Sequence, residues 1–158
     1  KLDYSIQISK LFYERFIQDR EISLFSPHDV PLLYDAFGTD RFDDLYESYE
    51  RDQSLPRKTV RAQELILDLL KERAETGRVY IMNIDHCNSH SSFKDKVYMS
   101  NLCQEITLPT DPIQHIDDPD GEIALCILSA VNVGKLKHLD DLEELCDLSV
   151  RGLEELID

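Results

Sequence analysis

The stretch Ser100-Asn101-Leu102-Cys103-Gln104-Glu105-Ile106 places an amide, a thiol and a carboxylate at alternate positions, separated by mostly apolar neighbours. Side chains of an extended chain repeat every second residue and rise about 3.3 Å per residue, so an extended reading puts Asn101, Cys103 and Glu105 on one face, the thiol roughly 7 Å from each partner. A thiol supplies a nucleophile or a hydrogen atom, a carboxylate a base, and an amide a means of orienting hydroxyls. Together they suit chemistry on a polyol such as a sugar. A polar loop entering a strand has the same composition, and these three residues alone do not separate the two readings.

The flanks decide the fold class. On one side, Val79-Tyr80-Ile81-Met82 is a short β-rich run directly after a helical pattern. On the other, Glu122-Ile123-Ala124-Leu125-Cys126-Ile127-Leu128-Ser129-Ala130-Val131 is nearly unbroken and apolar, which predicts a central strand buried on both faces. Residues 85–100 are polar and irregular, and Pro109, Pro112 and the acidic turn Asp117-Asp118-Pro119-Asp120-Gly121 follow the Cys103 stretch. A long connection, of the kind that is either functional or disordered, therefore joins two strands. The expected architecture is α/β, with residues 1–77 mainly helical, 78–132 strand, loop and strand, and 139–158 a helix.

Within the first part, Tyr4, Ile8, Leu11, Phe12 and Phe16 form one stripe at three- and four-residue intervals and predict a helix over 2–19. After Ser23-Leu24-Phe25, cap candidates in Ser26-Pro27-His28-Asp29 precede a short helix through Leu32, Leu33, Ala36 and Phe37 that Gly38 ends. Asp40 caps a third helix carrying Phe42, Leu45, Tyr46 and Tyr49, interrupted at Ser54-Leu55-Pro56. A fourth starts near Arg57 and runs through Val60, Leu67, Leu70 and Ala74, widened by Ile66 and Leu69, to a left-handed cap at Gly77. The last begins near Asp140 with Glu143 as capping-box partner, and Leu142, Leu145, Cys146, Leu153 and Leu156 on its core side.

At 158 residues and 18.4 kDa the chain has the size of one domain. It starts at Lys1 and stops at Asp158 within a periodic pattern, and reads as an internal segment of something longer. No stretch approaches the roughly 18 apolar residues of a membrane span, and no secretory pattern opens the chain, so the cytoplasm is the expected compartment. A net charge of −15 disfavours nucleic acid, whose phosphates need clustered Lys and Arg, yet permits a small phosphorylated ligand held by backbone N–H groups. Cys87, Cys103, Cys126 and Cys146 are widely spaced, which fits free thiols in a reducing compartment.

Two readings compete with sugar chemistry. His86, Cys87 and His90 are zinc-ligand types within one turn of chain, with Cys103 as a possible fourth, and define a small metal-binding module; the adjacent His86-Cys87 pair cannot easily aim both side chains at one ion. The acidic balance and amphipathic helices define an interaction module without catalysis. Cys146 falls on an apolar helix face and reads as a small core residue. Cys126 shares a strand face with Ala124, Leu128 and Ala130, where a packed thiol is the ordinary expectation.

Leu24-Phe25-Ser26-Pro27, Asp29-Val30-Pro31, Thr76-Gly77-Arg78, Asp85-His86-Cys87-Asn88, Ser100 to Ile106 and Gly121-Glu122-Ile123-Ala124-Leu125-Cys126 occur in this order. Together they resemble the large, catalytic subunit of class I ribonucleotide reductases of bacterial or bacteriophage type, over essentially the whole chain. The resemblance implies a helix-rich fragment of a ten-stranded α/β barrel, in which a finger loop carries a radical cysteine into the lumen. It implies that Cys103 is that cysteine, that Glu105 is the base, that Asn101 hydrogen-bonds the sugar hydroxyls, and that Cys126 is one member of a reducing dithiol whose partner lies outside the chain. It further implies a ribonucleoside diphosphate substrate, the remainder of the catalytic subunit, and a radical-generating, metal-containing small subunit. Thioredoxin or glutaredoxin as reductant and ATP or deoxynucleotide effectors complete the set. No cofactor or metal is expected within the segment itself, and alone it is expected to be inactive. The connection from His90 to Ser100 is shorter than in the bacterial relatives, which bears on the path of the loop.

Overall fold

The computed structural model describes residues 2–157, which divide into one compact unit up to Gly121 and a second from Glu122 on. In the first unit, strand β1 (Tyr4–Ile8) leads into helix α1 (Lys10–Ile17), followed by β2 (Glu21–Phe25), α2 (Pro31–Ala36), α3 (Phe42–Arg51), β3 (Arg57–Arg61), α4 (Ala62–Thr76), β4 (Val79–Asn83) and α5 (Ile84–Ser89). Among the described residues the strands form two two-stranded sheets and no closed barrel. β1 pairs parallel with β4, and β2 pairs antiparallel with β3.

The helix expected over 2–19 is a strand and a shorter helix. Tyr4-Ser5-Ile6-Gln7-Ile8 alternates with period two, and pairing with β4 satisfies its backbone while sending Ile6 and Ile8 to the core. Ser9 then caps α1, its hydroxyl accepting from the Phe12 N–H at 3.3 Å. Ser23-Leu24-Phe25 belongs to β2, and the start expected at Arg57 is β3; the helix begins only at Ala62. The buried face of α4 is Ala62 and Ile66 with Leu65 and Leu69, whereas Leu67 and Leu70, expected inward, point out. The short helix after Pro31, the helix carrying Phe42 and Tyr46, the left-handed cap at Gly77 (φ 67°) and the strand at Val79 form as expected, but the expected caps do not: Val30 and Arg41, not Asp29 or Asp40, stand at the two N-termini, and neither makes a side-chain cap bond.

The core of this unit gathers Ile8, Leu11, Phe12, Ile22, Ala36, Phe42, Tyr46, Ala62 and Ile66. Arg15 is buried within it at 3% exposure, donating to both carboxylate oxygens of Glu50 at 2.6 and 2.5 Å and to the Glu21 carbonyl at 3.2 Å. The Tyr46 hydroxyl accepts from the Ser23 N–H and donates to the Ser23 carbonyl, both at 2.7 Å, satisfying the outer edge of β2.

The second unit holds a 3₁₀ turn at Val133–Lys135 and helix α6 (Asp141–Glu154). The strand expected over 122–131 is absent: the run is irregular, with Ile123, Leu125, Leu128 and Cys126 exposed. A buried strand needs a laddered neighbour and a cover on each face, and among the described residues no strand pairs with this run. α6 forms, but Asp140 is itself helical and its side chain makes no cap bond. Asp141, Glu143 and Glu144 in the first turn complement the helix dipole. Cys146, expected in a core, is exposed, and no residue of α6 is buried.

Candidate active site

The β1–β4 pair has two faces. Ile6, Ile8 and Ile81 meet the main core, while Ser5 and Gln7 of β1 stand in register with Tyr80 and Met82 of β4 on the other face. Met82 packs there with Ile84 and the fully buried Val97, the first anchor of a segment that crosses this second face.

The segment is held along its length. Asn88 of α5 donates through Nδ2 to the Val97 carbonyl at 3.1 Å and accepts at Oδ1 from the Val97 N–H at 2.8 Å. Lys96 donates to the Asp35 carbonyl at 2.7 Å and lies 4.1 Å from the Tyr98 ring centroid; burial lowers its pKa. Gln7 Nε2 donates to the Tyr98 carbonyl at 2.7 Å, and Gln104 Nε2 donates to Ser5 Oγ at 2.5 Å.

At Asn101 the chain turns back on itself instead of running extended. The Gln104 N–H donates to the Asn101 carbonyl at 3.2 Å and the Asn101 N–H to the Ile106 carbonyl at 3.3 Å. The Ile106 N–H donates to Asn101 Oδ1 at 3.0 Å. Gln104 adopts φ 65°, a left-handed conformation uncommon outside glycine. The single face expected from period-two spacing is therefore replaced by a turn with Leu102 and Cys103 exposed, Asn101 half-buried and tied to the backbone, and Glu105 exposed beyond it. A local side-chain-to-backbone bond of this kind competes directly with strand geometry.

Electrostatic interaction with Cys103 chiefly, with desolvation and the charge of Asp3, raises the Tyr80 pKa. Glu105 lines a polar cavity of about 370 Å³ with His86, Cys87, His90 and Ser91–Phe93. Gln104 reaches a second of about 340 Å³ against Met82 and the same side of α5. A larger apolar cavity of about 410 Å³, around Ile8, Phe12, Val30 and Phe42, contains none of the expected site residues. Cys126 stands in the irregular run of the second unit, exposed and outside any strand, contrary to the buried face expected for it.

Asp85-His86-Cys87-Asn88 has structural work. Asp85 accepts from the Lys10 N–H at 2.7 Å at the start of α1, and Asn88 holds Val97. His90 Nδ1 lies 3.2 Å from the His86 carbonyl, burial pushes the Cys87 thiol up, and among the described residues no group of three His, Cys, Asp or Glu is arranged to hold a metal. Sequence reasoning missed Ser5, Gln7, Tyr80 and Asn88 as site-forming residues. The alternation at Tyr4–Ile8 was the available signal for Ser5 and Gln7.

These features define a mixed α/β domain in which one sheet face carries a pinned turn with an exposed cysteine at its tip. The family profile described as "Ribonucleotide reductase, barrel domain" matches residues 1–158. Curated relatives named as ribonucleoside-diphosphate reductase subunit alpha are 55% identical over 162 residues in Haemophilus influenzae and 50% identical over 162 residues in Buchnera aphidicola. Each alignment covers 99% of this chain and 21% of the relative. The subunit of the same name in Enterobacteria phage T4 is 39% identical over 165 residues, covering 99% of the chain and 22% of that protein. The chain belongs to the ribonucleotide reductase family and spans about a fifth of the length of these relatives. Among the described residues no helix is long and apolar enough to cross a membrane.

Proposed function

We propose that residues 1–158 are an internal segment of the catalytic barrel domain of a ribonucleoside-diphosphate reductase and supply its finger loop. The reading is carried by the full-length family match together with the turn that exposes Cys103 over the polar sheet face. Cys103, as a transient thiyl radical, takes the hydrogen atom from C3′ of a ribonucleoside diphosphate and becomes a thiol. Glu105 accepts the 3′-hydroxyl proton as the 2′-hydroxyl, protonated by a thiol of the reducing pair, leaves as water, and Asn101 positions the sugar hydroxyls. Two electrons and two protons come from a dithiol formed by Cys126 and a cysteine outside the chain, one proton leaving in the water and the other ending at C2′, and a disulfide remains; Cys103 then returns the hydrogen to C3′ and regenerates its radical.

The partners are the remainder of the catalytic subunit, a radical-generating small subunit that holds the metal, and thioredoxin or glutaredoxin to reopen the disulfide. ATP and deoxynucleotides act as effectors elsewhere in the subunit, and the setting is the cytoplasm. The radical demands a site that admits substrate and excludes stray reductants, which the rest of the barrel provides.

The test uses the whole subunit reconstituted with its small subunit. Glu105→Gln keeps the shape of the side chain and removes the base, so deoxynucleotide formation falls on the order of 10²-fold or more. Unchanged formation favours an interaction segment without chemistry and overturns the assignment.

A further inference from the structure

We infer that the outward polar face of β1 is a positioning device for Cys103, in which Ser5 and Gln7 grip the cysteine-bearing segment at Gln104 and at Tyr98. The inference rests on the reading of Cys103 as the radical carrier. Ser5 and Gln7 are two residues apart on one strand, so both project from the face that the segment crosses. Gln104 Nε2 donates to Ser5 Oγ at 2.5 Å from the residue next to Cys103, and Gln7 Nε2 donates to the Tyr98 carbonyl at 2.7 Å from the near side of the turn.

The grip has a physical reason. A non-glycine residue at φ 65° is held in a conformation that L side chains rarely adopt, and such conformations persist where the surroundings over-determine them. Gln104 is fixed on both sides, through its backbone N–H to Asn101 and through its side chain to Ser5. Ser5 is also the register partner of Tyr80, so the bond that fixes Gln104 ties the residue after Cys103 to the strand pair at the level of Tyr80. Hydrogen-atom transfer tolerates little error in distance, and misplacement by about 1 Å from a change remote from the reacting atoms costs up to 10²-fold.

Ser5 and Gln104 are positioning residues, and their test is a double-mutant cycle in the whole subunit with its small subunit. Ser5→Ala and Gln104→Leu each lower kcat on the order of tenfold, the double variant is no worse than the worse single one, and Ser5→Thr, which keeps the hydroxyl, stays near the parent. The thermal midpoint stays at the parent value, since one solvent-exposed hydrogen bond is removed. The inference is overturned by kcat within twofold of the parent in both single variants, by additive losses, or by Ser5→Thr as poor as Ser5→Ala. Cys103→Ser runs alongside: product from that variant sinks the radical reading itself, whereas an inactive Cys103→Ser with undisturbed Ser5 and Gln104 variants sinks only the grip.

Discussion

Arg15 keeps its charge in the core because Glu50 accepts two hydrogen bonds from it, with Glu47 at 3.6 Å and the Tyr46 ring centroid 5.0 Å away. Glu50→Ala leaves the guanidinium buried without its main anion and costs about 3–5 kcal/mol, read as a loss in chemical denaturation of the subunit domain. Burial pushes the Glu50 carboxyl up, but the hydrogen bonds and charge of Arg15, helped by Ser23 and Tyr46, outweigh it and hold the pKa below its ordinary value. The pair's contribution is therefore present above the ordinary carboxylate range and lost as pH falls through the lowered folded-state value; Glu50→Gln flattens that acid limb. Burial chiefly, with the charge of Glu50, raises Tyr46 from 10.0 to about 12. Stability drops as pH climbs between those values, since the unfolded phenol ionises first. Tyr46→Phe removes that alkaline limb and, by stranding the Ser23 N–H and carbonyl, costs about 1–3 kcal/mol. Tyr46 was legible as a core residue from its helical spacing, but its two hydrogen bonds with the Ser23 backbone were not, because β2 itself was unread.

Among the elements, α5 links the core to the turn. Gly38 lies against it with φ 75°, and a Cβ there would come 2.6 Å from Ile84 Cγ1 and 2.8 Å from Asn88 Nδ2. Gly38→Ala therefore displaces the residue that holds Val97, and Asn88→Ala removes the hold directly. Both variants are expected to speed amide hydrogen exchange over residues 97–104 while leaving α1 and α3 protected; unchanged exchange in Asn88→Ala refutes the clamp. The helix at Phe42 could be read because Phe42 and Tyr46 recur at a helical interval and both are buried, and the C-terminal end of the helix at Ala62 because Gly77 supplies its left-handed cap. β1, β2 and β3 could not, since a strand of five residues gains its backbone partners from distant chain, and Tyr4 and Ile8 also satisfy a helical interval. The turn at Cys103 was hidden for a related reason: Asn101 supplies a local acceptor, and composition does not reveal whether that bond or an extended ladder wins.

At the scale of the molecule, the two units differ in how much they bury. The first closes around its core, while the second leaves Ile123 at 69%, Leu125 at 68% and Leu128 at 84% exposure. An apolar run announces burial without saying what covers it, so the expectation of a central strand over 122–131 was a statement about surroundings as much as about local structure. Surface of this kind predicts self-association of the isolated chain in sedimentation; a clean monomer that binds no hydrophobic dye contradicts that. The family was legible in ordered short motifs, whereas the strand face that Gln104 bonds to became visible only when Ser5 and Gln104 were brought together. The central claim is that Cys103 performs the radical step. Its most direct test is deoxynucleotide formation by the whole subunit, with its small subunit, carrying Cys103→Ser beside Cys87→Ser and Cys146→Ser. The account predicts no product from Cys103→Ser and turnover near the parent from the other two; appreciable product from Cys103→Ser contradicts it.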